Sequence, residues 1–139
     1  MGRDSEKAAD MIYSLPVRVY YEDTDMAGIV YYANYLRYIE RGRSEWVRAV
    51  GLDQNVMKER DGIVFAVRRV EADYLGSGRL DDQLVVETQV KSVTGVRLVM
   101  EQSVKRGEDI LFQALVTVVC MTLEGHPTRL PANIRQMVH

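Results

Sequence analysis

Residues 33–51 read ANYLRYIERGRSEWVRAVG, and their apolar side chains recur at the spacing of an α-helix. At about 100° per residue, one side of this segment collects the mostly apolar residues Tyr35, Ile39, Gly42, Trp46, Ala49 and Val50. The opposite side collects the polar residues Arg37, Glu40, Arg41, Ser44, Glu45 and Arg48. The sequence therefore predicts one long amphipathic helix over residues 33–50, with Asn34 as the N-cap candidate and Gly51 as the C-cap.

The segments on either side of this helix alternate apolar and polar residues, which is typical of half-buried strands. A first strand is predicted over residues 16–23, with Val17, Val19 and Tyr21 on one face. Four more strands follow the helix, at residues 63–75, 84–91, 96–105 and 110–123. The last strand is apolar on both faces at its centre, so we expect it inside the sheet. Short turns between the later strands imply antiparallel neighbours.

This order predicts an α+β fold, in which one long helix packs on an antiparallel sheet of five strands. The chain has 139 residues, the size of one domain, and we expect residues 1–13 to be a flexible leader and 14–139 a single domain. One helix covers little of such a sheet, so we expect a homodimer that hides the remaining apolar surface.

The composition excludes several classes of protein. The formal net charge is −2, which gives no positive field for nucleic acid, and the 47% hydrophobic fraction argues against disorder. No apolar run approaches the length of a transmembrane helix, and no secretion signal is visible at the amino terminus. Two histidines and the single cysteine, Cys120, cannot form a zinc site or an internal disulfide. We therefore expect a cytoplasmic protein with no metal site, in which Cys120 is an ordinary buried thiol.

An acidic loop stands out directly before the helix, where Asp23 and Asp25 lie two residues apart. The free N–H groups of a helix N-terminus favour an anion, or the oxygen charge that develops on a reacting carbonyl. A carboxylate beside such donors is a minimal arrangement for hydrolysis. The alternative is that both aspartates only cap turns or complement the helix dipole.

Two further features are open to more than one interpretation. Arg43 falls inside the apolar arc of the helix, and its side chain is expected to reach solvent or to pair with a carboxylate. A tyrosine cluster surrounds the helix start and fits either core and interface packing or a substrate pocket; its members are Tyr31, Tyr32, Tyr35 and Tyr38.

Three segments together resemble the YbgC-like acyl-CoA thioesterases, which belong to the 4-hydroxybenzoyl-CoA thioesterase family of hotdog folds. The segments are residues 17–25 (VRVYYEDTD), 28–35 (GIVYYANY) and 40–43 (ERGR). The resemblance covers about residues 15–135 and is most specific between Tyr20 and Tyr35. It implies an antiparallel five-stranded sheet wrapped around one long helix, and dimers that often pair into tetramers, with the site at the dimer interface.

The resemblance also implies roles for individual residues. Asp25 is the catalytic carboxylate, as nucleophile or general base, and Asp23 and Arg43 are supporting residues. Amides near Tyr32, Ala33 and Gly28 polarise the thioester carbonyl. Many YbgC-like proteins have a histidine where this chain has Tyr32, so no histidine base is available at that position.

The expected reaction is hydrolysis of an acyl-CoA to the free acid and coenzyme A, with no cofactor beyond the coenzyme A of the substrate. Candidate phosphate-binding residues are Lys91 and Arg97 beside the hairpin at residues 92–96, followed by Arg68, Arg69, Lys105 and Arg106. The alternative is a non-catalytic hotdog module that binds acyl-CoA or acyl-carrier protein. A hydratase is disfavoured because the loop at Asp25 supplies no histidine base.

Overall fold

One antiparallel sheet and one long helix make up most of the structure. The computed structural model describes residues 11–137, so most of the predicted leader over residues 1–13 lies outside the described residues. The elements are β1 (Tyr13–Arg18), α1 (Tyr32–Ala49), α2 (Gln54–Val56), β2 (Ile63–Tyr74), β3 (Gln83–Val93), β4 (Leu98–Arg106), β5 (Asp109–Thr122), β6 (Pro127–Thr128) and α3 (Ala132–Arg135). A π-helical turn over Met57–Asp61 continues α2.

The sheet has the strand order β1-β3-β4-β5-β2, and the two-residue β6 pairs with β5 as a sixth strand. All of these pairings are antiparallel. The four strands predicted after the helix agree with β2 to β5 to within two residues at each end. β5 lies between β4 and β2, which confirms its predicted place inside the sheet. β2 and β1 form the two edges.

Helix α1 packs tightly against the sheet at Gly42. A Cβ atom at this position would lie 2.8 Å from Val86 Cγ1 and 2.9 Å from Thr88 Oγ1, so only glycine fits without displacing β3. Beside it, the buried Gln102 Nε2 donates to Ile39 O and to Thr88 Oγ1, both at 2.8 Å. The sheet is therefore joined to the middle of the helix by a satisfied polar contact inside an apolar core.

The predicted first strand is wrong at both ends. β1 ends at Arg18, and residues 21–23 form a single 3₁₀ turn that leaves Tyr21 82% exposed. The cause is a capping contact, because Asp23 Oδ2 accepts from Tyr20 N at 2.9 Å while Asp23 N donates to Tyr20 O. This local pairing competes with strand extension, although Val19 still points into the core.

The helix prediction is confirmed in extent but wrong at its start. Tyr31 is the N-cap, and Asn34 lies one turn inside the helix, where it is buried. Its side chain donates to Asp23 O at 2.8 Å, which is a contact with the acidic loop instead of a cap. Gly51 has φ +89° directly after the C-cap Val50, as its predicted capping role requires.

The buried face of α1 differs from the predicted one at its C-terminal end. Tyr35, Ile39, Gly42 and Trp46 are buried as predicted, whereas Ala49 is exposed and Val50 is half-buried. The buried face also includes Asn34, Tyr38 and Val47. The helix packs on β1, β3 and β4 of the sheet.

Candidate active site

Asp25 lies in a reverse turn between β1 and α1. Its main chain closes this turn, since Asp25 N donates to Ile29 O at 2.9 Å and Gly28 N donates to Asp25 O at 3.0 Å. Gly28 adopts φ +76°, a left-handed conformation that favours glycine. One carboxylate oxygen, Oδ1, accepts from Ala27 N at 2.9 Å. The other, Oδ2, has no partner among residues 11–137 and is exposed to solvent.

Asp23 fastens the same turn to the helix. Its carbonyl oxygen accepts from Tyr31 N at 3.0 Å and from Asn34 Nδ2 at 2.8 Å, while its carboxylate holds Tyr20 N. Asp23 therefore holds the loop through its carbonyl oxygen and one carboxylate oxygen and is half-buried, whereas Asp25 is exposed. The two aspartates of the motif thus differ in their environments.

The first two amides of α1 are available to a ligand. Tyr32 N and Ala33 N have no acceptor within the described part of the chain, as expected for the first turn of a helix. Gly28 was predicted to belong to the same donor group, but its N–H is already donated to Asp25 O. Two of the three predicted amides can therefore stabilise negative charge on a bound oxygen.

A second loop, over residues 76–82, supports the Asp25 turn from the sheet side. Gly78 O accepts from Val30 N at 2.8 Å, and Leu80 N donates to Gly28 O at 3.3 Å. The loop is stabilised by Asp82, whose Oδ2 accepts from Arg79 N at 2.9 Å and from Arg106 Nη1 at 2.8 Å. Burial raises the pKa of Asp82, but the charge and hydrogen bonds from Arg106 and Arg79 outweigh it and lower the pKa on balance.

Aromatic rings surround the helix start. The Tyr32 ring lies 4.9 Å from that of Tyr74 at the end of β2, and both side chains are exposed. Beneath them, Tyr35 stacks on Phe112 with ring centroids 5.2 Å apart. The predicted tyrosine cluster therefore divides, because Tyr35 and Tyr38 belong to the core while Tyr31 and Tyr32 stay at the surface.

The two buried tyrosines differ in their hydrogen bonding. Tyr35 Oη accepts from Gly78 N at 2.9 Å, whereas the buried Tyr38 Oη has no partner among the described residues. Burial raises the pKa of Tyr38 first, and the negative charge of Asp23 raises it further. The Tyr38 hydroxyl is thus an unsatisfied polar group beneath the acidic loop.

Arg43 is half-buried and pairs with no carboxylate in the described part of the chain, so the expected ion pair is absent there. Its Nη1 donates to Gln102 Oε1 at 3.1 Å, and the side chain lines a cleft between α1 and the sheet. Burial lowers the pKa of the Arg43 guanidinium, and Glu40 one turn earlier partly opposes this effect. The guanidinium stays charged, since an arginine pKa begins far above neutral pH.

The basic residues proposed for phosphate binding separate into two groups. Four of them form ion pairs: Lys91 with Glu101, Arg69 with Glu71, Lys105 with Glu87 and Arg106 with Asp82. Arg68 and Arg97 form no ion pair among residues 11–137 and line one cleft of about 390 Å³ with Val96 and Met121. The structure therefore brings Arg97 together with Arg68 and separates it from Lys91.

Cys120 contributes no reactive group to these clefts. Its side chain is fully buried on β5, and burial raises the pKa of its thiol to about 11. The thiolate, which is the reactive form, is therefore scarce at neutral pH.

Gln102 lies in the cleft contact with Arg43, a role that was not predicted from the sequence. This residue and Thr88 are direct partners across β3 and β4, and both are buried. Thr88 is a polar residue on the otherwise apolar face of β3, and Gln102 is a polar residue on the otherwise apolar face of β4. Both interruptions of the apolar pattern can be read from the sequence. Pairing the two exceptions across the hairpin would have predicted the polar contact that now positions Arg43.

Among the residues that the structure describes, no helix combines the length and the apolar character needed to cross a membrane.

Comparison with known proteins identifies the family. The family model described as thioesterase superfamily matches residues 27–113. The acyl-CoA thioesterase YbgC of Haemophilus influenzae is 39% identical over 128 residues, which cover 91% of this chain and 94% of that protein. The acyl-CoA thioester hydrolase YbgC of Escherichia coli is 40% identical over 126 residues, which cover 88% and 92% of the two chains.

A solved structure agrees with this assignment. The structure described as a probable thioesterase from Bartonella henselae is 35% identical, with a TM-score of 0.84, and the match covers 87% of this chain and 100% of that one. The hotdog fold expected from the sequence is therefore confirmed. The chain belongs to the thioesterase superfamily.

Proposed function

We propose that this protein is an acyl-CoA thioesterase in which Asp25 is the catalytic carboxylate. The observation that carries the proposal is the Asp25 carboxylate, with one unengaged oxygen, in a turn fastened to a helix whose first two amides have no acceptor within residues 11–137. The names of the relatives from Haemophilus influenzae and Escherichia coli support an acyl-CoA thioester as substrate.

In the proposed reaction, the thioester carbonyl oxygen lies at the amides of Tyr32 and Ala33. Asp25 either attacks the carbonyl carbon or accepts a proton from the water that attacks it. Negative charge develops on the carbonyl oxygen and is stabilised by the two amides and the helix dipole. A carbon–oxygen bond forms, the carbon–sulfur bond breaks, and the products are the carboxylic acid and the thiol of coenzyme A. In the nucleophilic route, water then hydrolyses the mixed anhydride on Asp25.

Tyr32 occupies the place of a histidine in many YbgC-like proteins, so no imidazole base is available at that position. Its exposed ring, in contact with Tyr74, offers an apolar surface to the acyl group and a phenol that donates a hydrogen bond. The proton chemistry therefore rests on Asp25 alone in this proposal. Arg68 and Arg97 are the best-placed cations for the phosphates of coenzyme A, because neither forms an ion pair in the described structure.

The active form in this proposal is a homodimer that pairs antiparallel along β2. This strand is a sheet edge of 12 residues, and its side chains Val67, Val70 and Tyr74 are 40 to 46% exposed. A long apolar edge strand is a template for pairing with another chain. The helix start lies at the Tyr74 end of β2, so antiparallel pairing would set the partner subunit's Asp25 turn near the other end, beside Phe65.

The first experiment measures thiol release from a panel of acyl-CoAs, from short aliphatic to long-chain and aromatic, together with the melting temperature in each acyl-CoA. Release of free coenzyme A with turnover supports the proposal. Stabilisation by acyl-CoA without thiol release would contradict it and favour a binding module for acyl-CoA or acyl-carrier protein. The buried Cys120 thiol does not interfere with thiol detection in the folded protein.

A further inference from the structure

The cleft that contains Arg43 is separate from the Asp25 turn of the same chain. It lies between α1 and the sheet, has a volume of about 260 Å³, and is walled by Val47, Phe65, Leu98, Met100 and Val118. Arg43 is 11 residues along the helix from Tyr32, which corresponds to roughly 16 Å at the rise of an α-helix. This volume lies near the lower end of the roughly 300–1,000 Å³ of small-molecule clefts, which suits a short acyl group.

Arg43 is the positive charge at the polar end of this cleft. Its guanidinium has one hydrogen-bond partner in the described structure, the neutral Gln102 Oε1. Gln102 cannot turn away easily, because its amide nitrogen is held by Ile39 O and Thr88 Oγ1 at 2.8 Å. The guanidinium is thus fixed in place with most of its donors unengaged, and a half-buried cation of this kind favours an anion as its partner.

The carboxylate that lines the same cleft does not neutralise this charge. Glu40 lies one turn earlier on α1 and lines the same cleft, but its side chain is exposed and forms no ion pair with Arg43 in the described structure. Solvent screens the charge of the exposed Glu40 carboxylate, whereas Gln102 and the apolar wall shield the Arg43 guanidinium from solvent. The cleft therefore combines an apolar wall with one positively charged side chain that is held in place.

We propose that this cleft binds the acyl group of the substrate and that Arg43 selects acyl groups that end in a carboxylate. The inference rests on the proposed thioesterase function and on β2 pairing, which brings the partner subunit's Asp25 to the Phe65 end of the cleft. The methylene groups of the acyl chain contact Phe65, Leu98 and Met100, and the terminal carboxylate pairs with Arg43. A bidentate guanidinium–carboxylate contact supplies geometry as well as charge.

The test compares glutaryl-CoA with pentanoyl-CoA, because the two acyl chains have equal length and differ in the terminal carboxylate. The wild-type protein is expected to have at least about tenfold higher kcat/KM for glutaryl-CoA. Arg43→Met removes this preference by lowering kcat/KM for glutaryl-CoA at least tenfold while changing that for pentanoyl-CoA less than threefold. Glu40→Gln raises the preference, since it removes the like charge beside the bound carboxylate.

Arg41→Met is the matched control, because Arg41 is an exposed arginine on the same helix that does not line the cleft. It leaves the preference unchanged. A wild-type preference for pentanoyl-CoA, or an equal loss on both substrates in Arg43→Met, overturns the proposal. A change in the oligomeric mass of Arg43→Met without a change in its selectivity also overturns the proposal. In that case Arg43 would pair with a carboxylate of the second copy and not with the substrate.

A binding measurement separates recognition of the acyl group from its hydrolysis. Equilibrium dialysis of the Asp25→Asn protein, which is expected to turn over at least about 10²-fold more slowly, should show at least tenfold tighter binding of glutaryl-CoA than of pentanoyl-CoA. If neither substrate is hydrolysed, the proposed function fails, and the dialysis measurement alone decides the role of Arg43. Equal binding of glutaryl-CoA and pentanoyl-CoA overturns the selection of a terminal carboxylate by Arg43.

Discussion

Tyr35 and Tyr38 are both buried on one helix, and their hydroxyls differ in hydrogen bonding, since Tyr35 Oη also donates to Gly76 O at 3.4 Å. Tyr35 Oη satisfies Gly78 N, whereas Tyr38 Oη has no partner within the described chain. A buried polar group without a hydrogen-bond partner lowers the free energy of unfolding. A substitution that removes the partner of a buried group has the same effect, because it leaves that group unsatisfied. The two hydroxyls should therefore contribute to stability with opposite signs.

We expect Tyr38→Phe to leave the free energy of unfolding unchanged or to raise it by up to about 1 kcal/mol. Tyr35→Phe, the matched variant, should lower it by about 1 to 3 kcal/mol because the buried Gly78 N–H loses its acceptor. Urea denaturation of the two proteins measures both values. Destabilisation by Tyr38→Phe comparable with that by Tyr35→Phe would show that Tyr38 donates to Asp23 in solution.

At the scale of elements, the packing of α1 on β3 depends on Gly42. Alanine is a better helix former by about 1 kcal/mol, but its Cβ would lie within 3 Å of Val86 and Thr88. Because overpacking costs about 1 to 3 kcal/mol, we expect Gly42→Ala to lower the free energy of unfolding by up to about 2 kcal/mol. Urea denaturation provides the measurement.

Gly95→Ala is the control for this substitution. A Cβ at Gly95 meets nothing closer than Arg129 Nη2 at 3.5 Å, an ordinary contact with a flexible side chain. Its stability should be close to that of the wild type. If Gly42→Ala were as stable as Gly95→Ala, the close approach of the helix to the sheet would not exist in solution.

The loop at residues 76–82 should make stability depend on pH through Asp82. The folded-state pKa of Asp82 is lowered, so its contribution is fully present above the ordinary aspartate pKa of about 4 and is lost as pH falls through the folded value. We expect Asp82→Asn to have a lower melting temperature than the wild type between pH 5 and 8, at a constant difference.

Below about pH 4 the difference between the two proteins should shrink, because the wild-type carboxyl becomes protonated too. Melting temperatures at a series of pH values check this. A difference that grows on acidification would mean that Asp82 does not pair with Arg106 and Arg79 in the folded protein.

At the scale of the whole molecule, the proposed dimer depends on the outer edge of β2. Val70→Lys places a charge among the exposed apolar side chains of this edge, and a charged edge disfavours strand pairing. We expect the wild-type protein to sediment at twice the mass of one chain or a multiple of it, and Val70→Lys to shift toward the monomer and lose activity.

Ile12→Lys is the control, since Ile12 is 50% exposed but lies directly before β1, at the opposite edge of the sheet from β2. It should keep the wild-type mass. A monomeric wild-type protein with full activity would contradict the dimer and the sharing of the site between two chains.

The sequence predicted the elements better than it predicted their ends. Helical and alternating periodicities extend over many residues, so α1 and the strands β2 to β5 could be located from the pattern alone. The first strand failed because one contact, Asp23 with Tyr20, ends the alternation, and such a capping contact has no period. Asn34 failed as a cap because its partner, Asp23 O, is 11 residues away along the chain.

The candidate site could also be predicted only in part. Asp25, Tyr32 and Ala33 could be proposed because they are close in sequence and carry the family motif. The partnership of Arg43 with Gln102, and of Arg68 with Arg97, depends on how distant strands and the helix are placed together. Only strand register and tertiary packing determine those contacts.

The most direct test of the proposed function is the kcat of Asp25→Asn for thiol release from the best acyl-CoA substrate. Asparagine keeps the oxygen that accepts from Ala27 N and removes only the charge and basicity, so the turn should stay intact. Asp53→Asn is the matched control, because the Asp53 carboxylate also accepts backbone N–H groups, at the start of α2. We predict a loss of at least about 10²-fold for Asp25→Asn and near wild-type turnover for Asp53→Asn. A folded Asp25→Asn protein that keeps near wild-type kcat would contradict the catalytic role of Asp25.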